Sequence, residues 1–349
     1  MIFNNELYKQ DISRTAEINL PWHKLKNKNI LITGASGLIC SFLIDILMYR
    51  NMKYNDNIKI TAVGRNEANL KAKFRDYLHS ENFQYVIQDI SENLKINNTV
   101  DYIIHGASNA NPIAFSKDPV GTMKANFFGM YNLIEYAKKH DTQRILYISS
   151  GEVYGEGDSS ISSFSEDYCG YIDFTNPRAC YPSSKRAAET LCASSIQQYG
   201  MDIVISRPCH IYGPTFNSTD SRVIFQFIRN ALHGENIIMK SEGNQLRSYC
   251  YVSDAASALL YTLFYGENGQ AYNVADKNSN VTIRKLAETI SSISGGRLTF
   301  EIPDSVEKKG YSKVTRAVLN AEKLESLGWQ PVMSLSQGLE NTLKILKNK

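Results

Sequence analysis

Short apolar runs alternate with longer amphipathic segments along the chain as far as Arg207. We expect the apolar runs to form buried strands, because four to eight such residues between polar segments are typical of parallel sheets. Strands are predicted at residues 29–33, 58–63, 83–87, 102–105, 144–149 and 202–207. The clearest helices are predicted at residues 38–50, 119–140 and 181–199. This alternation predicts an α/β fold built on a doubly wound parallel sheet.

Beyond Arg207 the alternation fades, and stretches such as HIYGPTFNSTDSR mix glycine, aromatic and charged residues. Such stretches are typical of loops that hold a ligand. We therefore predict a dinucleotide-binding domain over residues 1–206 with a return segment near 247–275. Residues 207–246 and 276–349 are predicted to form a smaller C-terminal α/β substrate lobe. The first 28 residues precede the first strand, and the sequence assigns them no role.

Composition excludes several classes of function. The 38 Lys and Arg against 35 Asp and Glu give a formal charge of +3 without a basic block, so neither nucleic acid nor a membrane surface is an expected partner. No stretch approaches about 20 apolar residues and the start lacks the apolar core of a signal peptide, which predicts a cytoplasmic protein. The six cysteines include no C-x-x-C pair, which argues against a zinc knuckle or a redox dithiol.

A glycine-rich turn follows the first predicted strand directly and opens a helix. Backbone N–H groups and a helix N-terminus in that position suit the pyrophosphate of a dinucleotide. The predicted contacts are Gly34, Ser36, Gly37, Leu38 and Ile39. Cys40 stands where the usual third glycine lets helix and strand pack closely, and we expect it to be accommodated because cysteine is small.

Two charged residues bear on the choice of cofactor. Arg65 follows the second predicted strand, where a carboxylate that bonds the ribose would normally stand. It could pair with a 2′-phosphate or be a solvated loop residue, so both NAD and NADP stay open. Asp89, at the end of the third strand, could bond the adenine or cap a turn.

The candidate proton-transfer site combines Tyr181 and Lys185, four residues apart on one predicted helix face, with Ser150 after the fifth strand. Removal of a hydride from a sugar carbinol also requires a base for the hydroxyl proton. Tyr181 could act as that base if its pKa falls from about 10 toward neutrality, a change of roughly 4 kcal/mol. Lys185 and a positive nicotinamide are expected to lower it, and Ser150 would donate to the same substrate oxygen.

The motifs GASGLIC, HGAS, NFFG, SSGEVYG, YPSSK, RPCHIYGP and RSYCYVSD occur in this order over nearly the whole chain. They resemble the extended short-chain dehydrogenase/reductase family of nucleotide-sugar epimerases, dehydratases and decarboxylases. The resemblance implies a Rossmann-type fold, a nicotinamide cofactor without a metal, a nucleotide-sugar substrate and a role in making sugars for surface polysaccharides. It also implies a homodimer through the helices at 119–140 and 181–199.

Within the family, the residues after Lys185 and the stretch DSRVIFQFIRNALHGE are most similar to UDP-glucuronate decarboxylases, while Glu152 also resembles the 4,6-dehydratases. Both use that glutamate after oxidation at carbon 4, where the new ketone promotes loss of water or of carbon dioxide. We therefore expect elimination or decarboxylation. The alternatives are a 4-epimerase and a non-catalytic cofactor-binding protein of the same fold.

The resemblance assigns further residues to the site. Ala107 and Asn126 are implied to contact the cofactor. The substrate-binding set implied by the resemblance is Ser108, Tyr154, His210, Arg222 and Arg247. For Arg222 and Arg247, a surface ion pair is the open alternative.

Three positions depart from the family pattern. Gly151 stands where one dehydratase subfamily carries an aspartate that protonates the leaving hydroxyl. His210 replaces an asparagine near the sugar, and Thr215 replaces an arginine of the decarboxylases.

Overall fold

The computed structural model describes residues 5–158, 160–301 and 315–348. Within them, a parallel sheet has the strand order β10-β6-β5-β4-β1-β2-β3. Its strands are β1 (Asn29–Thr33), β2 (Lys59–Gly64), β3 (Phe83–Ile87), β4 (Tyr102–His105), β5 (Arg144–Ile148), β6 (Ile203–Pro208) and β10 (Ala271–Val274). The order reverses between β1 and β4, and the carboxyl ends of strands at such a point form a ligand crevice. The predicted doubly wound sheet is confirmed.

Helices cover this sheet and build the second lobe. They are α1 (Glu6–Ala16), α2 (Leu38–Tyr54), α3 (Glu67–Lys73), α4 (Pro112–Lys117), α5 (Pro119–Lys139), α6 (Cys180–Tyr199), α7 (Val223–Leu232), α8 (Val252–Tyr265), α9 (Ile283–Ser294), α10 (Glu322–Glu325) and α11 (Leu335–Lys347). In the described part of the chain, no helix is long and apolar enough to cross a bilayer.

Local signals explain most element boundaries. The helix α5 begins at Pro119 after Asp118, whose carboxylate accepts the N–H of Gly121, and α6 ends at Gly200 in the left-handed conformation. The helix α2 runs four residues past its predicted end because long-range bonds hold its last turn. Asn51 bonds both backbone groups of Ile58.

A smaller sheet lies in the second lobe. In it β9 (Leu246–Tyr251) pairs with β7 (His210–Tyr212), β11 (Asn280–Thr282) and β13 (Arg316–Ala317), while β8 (Ile237–Met239) pairs separately with β12 (Leu298–Phe300). The predicted return segment is therefore shared between the sheets, because β9 joins the small sheet and β10 the parallel one. The domain boundaries stay a prediction.

The N-terminal helix α1, for which no role was predicted, is fastened from two sides. The Tyr8 hydroxyl donates to the Asp45 carboxylate on α2 at 2.5 Å. Asp11 is fully buried and accepts a 2.6 Å bond from the hydroxyl of Tyr251, at the end of β9. The helix α2 directly follows β1 of the parallel sheet, and β9 is a strand of the small sheet. The helix α1 therefore connects the two parts of the fold.

Candidate active site

A cleft of about 380 Å³ opens at the carboxyl ends of β1, β2, β4 and β5. This volume is within the range of ordinary ligand sites. Many of the residues predicted from sequence line it, namely Gly34, Ser36, Gly37, Leu38, Ile39, Arg65, Asp89, Ala107, Ser108, Ser150, Lys185 and Arg222. The structure therefore brings residues from distant parts of the chain to one crevice.

The glycine turn has the geometry that a pyrophosphate site requires. Gly34 has a φ of +65°, and a β-carbon there would lie 2.6 Å from the carbonyl oxygen of Gly106. Gly37 precedes α2 in an extended conformation, and no side chain caps the helix. The first N–H groups of α2 therefore face the cleft without a side-chain acceptor, which suits an anion.

Cys40 is accommodated as expected. Its thiol is buried against Gly106, where a β-carbon on the glycine would collide with the sulfur. Burial raises the pKa of the Cys40 thiol to about 12, so the group stays neutral and packs as a small apolar side chain. The missing side chain at Gly106 thus makes room for the sulfur of Cys40 where α2 packs against the end of β4.

Arg65 and Asp89 meet at the end of the cleft formed by β2 and β3. The Arg65 guanidinium lies 3.7 Å from the Asp89 carboxylate and donates to the Asn109 side chain at 2.9 Å. Asp89 also accepts the backbone N–H and hydroxyl of Ser91, so it caps a turn. The charge of Arg65 is therefore partly matched before any ligand binds.

Several buried polar atoms around the cleft have no hydrogen-bond partner within the described residues. They are the hydroxyls of Ser108 and Ser149 and the side-chain oxygen of Asn126, whose amide nitrogen donates to Ser184 at 2.9 Å. Buried polar atoms are rarely left unpaired, so these atoms point to a polar ligand. Together with the Gly34 turn, they fit a nicotinamide dinucleotide.

The three proton-transfer candidates are close together. Ser150 lies close enough to Tyr181 to lower the pKa of its hydroxyl, and the Lys185 ammonium lies 6.0 Å from the centre of the Tyr181 ring. Lys185 is 2% exposed and donates to the carbonyl oxygen of Ile148 at 2.7 Å. This contact fixes Lys185 at the carboxyl end of β5, where the reacting part of a ligand is expected to lie.

The electrostatics of the site differ from the prediction. Burial raises the pKa of Tyr181 to about 12, and the nearby Glu152 carboxylate adds to the rise. Burial also lowers the pKa of Lys185 to about 7, so its charge is only partial near neutrality. In the protein alone, burial therefore outweighs the cations. The fall in pKa that catalysis needs requires further positive charge, which oxidised nicotinamide carries.

Glu152 is held by an arginine that the sequence analysis missed. Both terminal nitrogens of Arg178 donate to the two carboxylate oxygens of Glu152, at 3.1 and 3.3 Å. Arg178 stands in the one-turn helix Pro177–Ala179 before α6, only three residues ahead of Tyr181. This short spacing was the available signal, but no pattern in the sequence connects Arg178 with Glu152.

Both predicted substrate arginines lie close enough to His210 to affect its pKa. Arg222 lines the cleft and pairs with Asp220 at 2.7 Å, while Arg247 is buried and donates to the carbonyl of Leu246 among its contacts. Burial and these two cations lower the pKa of His210 to about 3. The imidazole is therefore neutral, and its Nδ1 has no partner in the described part of the chain.

Tyr154 does not lie where a substrate contact was predicted. Its side chain is fully buried, and its hydroxyl donates to Asn273 at 2.6 Å and accepts from Arg207 at 2.9 Å. Both hydrogen-bonding functions of the hydroxyl are thus used inside the protein. We correct its role to that of a core residue that connects the segment after β5 to β10.

Two departures from the family pattern have structural explanations. A β-carbon on Gly151 would lie 3.0 Å from the buried Leu319 side chain, so any larger residue there would press against Leu319. Thr215 is also buried, and its hydroxyl donates to the carbonyl of Leu38 at 2.8 Å. It fastens the chain after β7 to the first turn of α2.

Comparison with known proteins gives a consistent result. The sequence profile of the NAD dependent epimerase/dehydratase family matches residues 30–275. UDP-glucuronic acid decarboxylase 1 from Xenopus tropicalis is 32% identical over 92% of this chain and 73% of its own length. UDP-glucuronic acid decarboxylase 3 from Arabidopsis thaliana is 34% identical over 90% of this chain and 87% of its own.

Among solved structures, dTDP-glucose 4,6-dehydratase from Bacillus anthracis in complex with NAD superimposes with a TM-score of 0.75. The alignment covers 92% of this chain and 97% of that one at 22% identity, which supports the fold alone. The expected nicotinamide cofactor is confirmed at the level of the family, whose description names NAD.

Proposed function

We propose that this chain, which belongs to the NAD dependent epimerase/dehydratase family, oxidises UDP-glucuronate at carbon 4 of the sugar and releases carbon dioxide. Its decarboxylase relatives match at 32–34% identity over nine-tenths of the chain, which supports this substrate. The expectation of a lyase acting on a nucleotide sugar thus narrows to one reaction: UDP-glucuronate and a proton give a UDP-pentose and carbon dioxide.

The lack of a side chain at Gly151 favours decarboxylation over dehydration. Loss of water requires an acid for the departing hydroxyl, and position 151 supplies none because it is a glycine that packs against Leu319. Loss of carbon dioxide needs no acid at that step, because the electron pair of the breaking carbon–carbon bond moves onto the adjacent ketone. Glu152 is also bound by Arg178 at both oxygens, so a substrate proton would have to compete with this ion pair for the carboxylate.

The side chains of the site would carry the proton transfers at the carbon 4 oxygen. Bound NAD would take up the hydride from carbon 4 and would add positive charge to the site. Tyr181 receives the proton of the carbon 4 hydroxyl, and Ser150 bonds the same oxygen. Lys185, fixed by the carbonyl of Ile148, supplies a nearby cation in its protonated form. After carbon 5 is protonated and the hydride returns, Tyr181 gives its proton back to the carbon 4 oxygen.

Incubation of the protein with NAD and UDP-glucuronate labelled at the carboxyl carbon tests the proposal. We expect labelled carbon dioxide and a product lighter by that one group. UDP-glucose and dTDP-glucose are the controls, and Tyr181→Phe should abolish the reaction. Loss of water from either control sugar would mean a dehydratase, and a new isomer of unchanged mass would mean the 4-epimerase.

We also propose that the protein is a homodimer through α5 and α6, which pack side by side. The exposed face of α5 carries several apolar side chains, Val120, Met123, Phe128 and Tyr131, that are 46–67% exposed. Apolar groups clustered on one helix face are typical of a contact surface. Sedimentation equilibrium is the test, and a monomeric mass would refute the dimer.

A further inference from the structure

We propose that Arg178 is a positioning residue that holds the Glu152 carboxylate and offsets its charge beside Tyr181. This inference rests on the proposed function, because that function gives Tyr181 its role as base. The pair formed by Arg178 and Glu152 is bidentate, because its two bonds of 3.1 and 3.3 Å join separate nitrogens to separate oxygens.

The exposure of the pair argues that its purpose is not stability. The side chains of Arg178 and Glu152 are 47% and 41% exposed. Ion pairs in contact with solvent contribute only about 0–1 kcal/mol. Arg178 therefore adds little to the folding free energy. Its contact with both oxygens of a proposed active-site carboxylate is better explained by a role in positioning Glu152.

A second set of contacts connects Arg178 to the proposed base. The Arg178 guanidinium lies over the Phe115 ring, 4.4 Å from its centre. Phe115 is 2% exposed and stacks on the Tyr181 ring, with the centres 5.4 Å apart and the planes at 29°. Arg178 therefore covers a stack whose inner member is Tyr181. A cation over an aromatic face is favourable, which holds the guanidinium in this place.

The charges around Tyr181 support the same role for Arg178. The Glu152 carboxylate opposes ionisation of Tyr181, whereas Arg178 and Arg222 favour it. Removal of Arg178 would take away the cation that contacts Glu152 at both oxygens, so more of the carboxylate's negative charge would act on the phenol. Tyr181 would then ionise at a higher pH, and the carboxylate would lose the partner that fixes its orientation.

The test compares Arg178→Met and Arg178→Lys with the wild type. Arg284→Met is the matched control, because Arg284 is exposed and also lies over an aromatic ring, 4.9 Å from the centre of Phe300, outside the cleft. We expect the methionine variant to shift the rising limb of the kcat/KM profile to higher pH, with roughly three- to tenfold less activity at neutral pH. KM should change less than about twofold, and lysine should restore part of the shift.

A titration without substrate separates this proposal from the proposed function. Ionisation of Tyr181 is followed by ultraviolet difference spectra of each protein against its Tyr181→Phe counterpart, with NAD present. A higher midpoint in Arg178→Met supports the positioning role even if UDP-glucuronate is not converted. An unchanged midpoint, or an unchanged rising limb with a loss confined to KM, would overturn it. Failure of the wild type to release carbon dioxide would refute only the proposed function.

Discussion

The thiol of Cys40 occupies the space that a side chain on Gly106 would need, so the two residues are complementary across the contact between α2 and the end of β4. Cys40 is 4% exposed and faces the glycine next to the cofactor cleft. In this chain a pair of residues far apart in sequence does the work that the third glycine of the usual motif does alone.

This complementarity predicts a coupled pair of substitutions. Gly106→Ala should destabilise the protein by about 1–3 kcal/mol, because the new methyl group overpacks a buried contact. In the Cys40→Gly background the same substitution should cost at least about 1 kcal/mol less. Urea unfolding of the four proteins measures the coupling, and strictly additive effects would contradict the predicted contact.

Substitution of the proposed base separates catalysis from folding. Tyr181→Phe removes the hydroxyl but keeps the ring that stacks on Phe115. We expect kcat to fall by about 10²–10⁴ while NAD binding and the thermal unfolding midpoint stay close to those of the wild type. Steady-state kinetics with calorimetry provide the measurement. A variant that retains a third or more of the activity would exclude Tyr181 as the base.

The ion pair between Arg65 and Asp89 predicts a preference for NAD. A 2′-phosphate at this end of the cleft would meet the negative charge of Asp89 as well as the arginine. Asp89→Asn should therefore tighten NADP binding by about two- to fivefold and leave NAD binding nearly unchanged. Isothermal titration calorimetry at one salt concentration is the measurement. Arg65→Met is the control, because it should change NADP binding in the opposite direction. Equal effects on both cofactors would place the 2′ position elsewhere.

Asp254 predicts how stability depends on pH. Burial raises the pKa of Asp254 to about 7, although its carboxylate accepts the N–H groups of Val332 and Met333. Because the folded state keeps the proton that the unfolded chain loses near pH 4, this residue's contribution to stability falls as pH rises from about 4 to about 7 and is constant above that.

Asp254→Asn keeps an oxygen that can accept both backbone bonds and removes the titration. We therefore expect the variant to gain about 2–4 kcal/mol over the wild type at pH 8 and little at pH 4. Urea unfolding across this pH range, with the exposed Glu288→Gln as control, is the measurement. A constant difference between variant and wild type at every pH would contradict the assignment.

The sequence by itself determined six strands of the parallel sheet, whereas β10 lay outside the predicted apolar runs. The predicted bounds of β1, β3 and β4 agree with the structure, because apolar runs and turn residues are local signals that survive in the fold. The glycine turn before α2 and the spacing of Tyr181 and Lys185 on α6 were evident for the same reason. A motif that acts through one turn of backbone is contained in a few consecutive residues.

Only the tertiary structure decided which side chains meet. Tyr154 bonds Asn273, 119 positions along the chain. This contact places in the core a residue that was predicted to bind substrate. Arg178 reaches Glu152, and Leu319 fills the space beside Gly151, through packing that no local pattern encodes. The helix α1 acquires its role from Asp45 and Tyr251, on opposite parts of the fold. The burial and charge of a group depend on all its neighbours in space, so the site's electrostatics followed from the fold and not from the motifs.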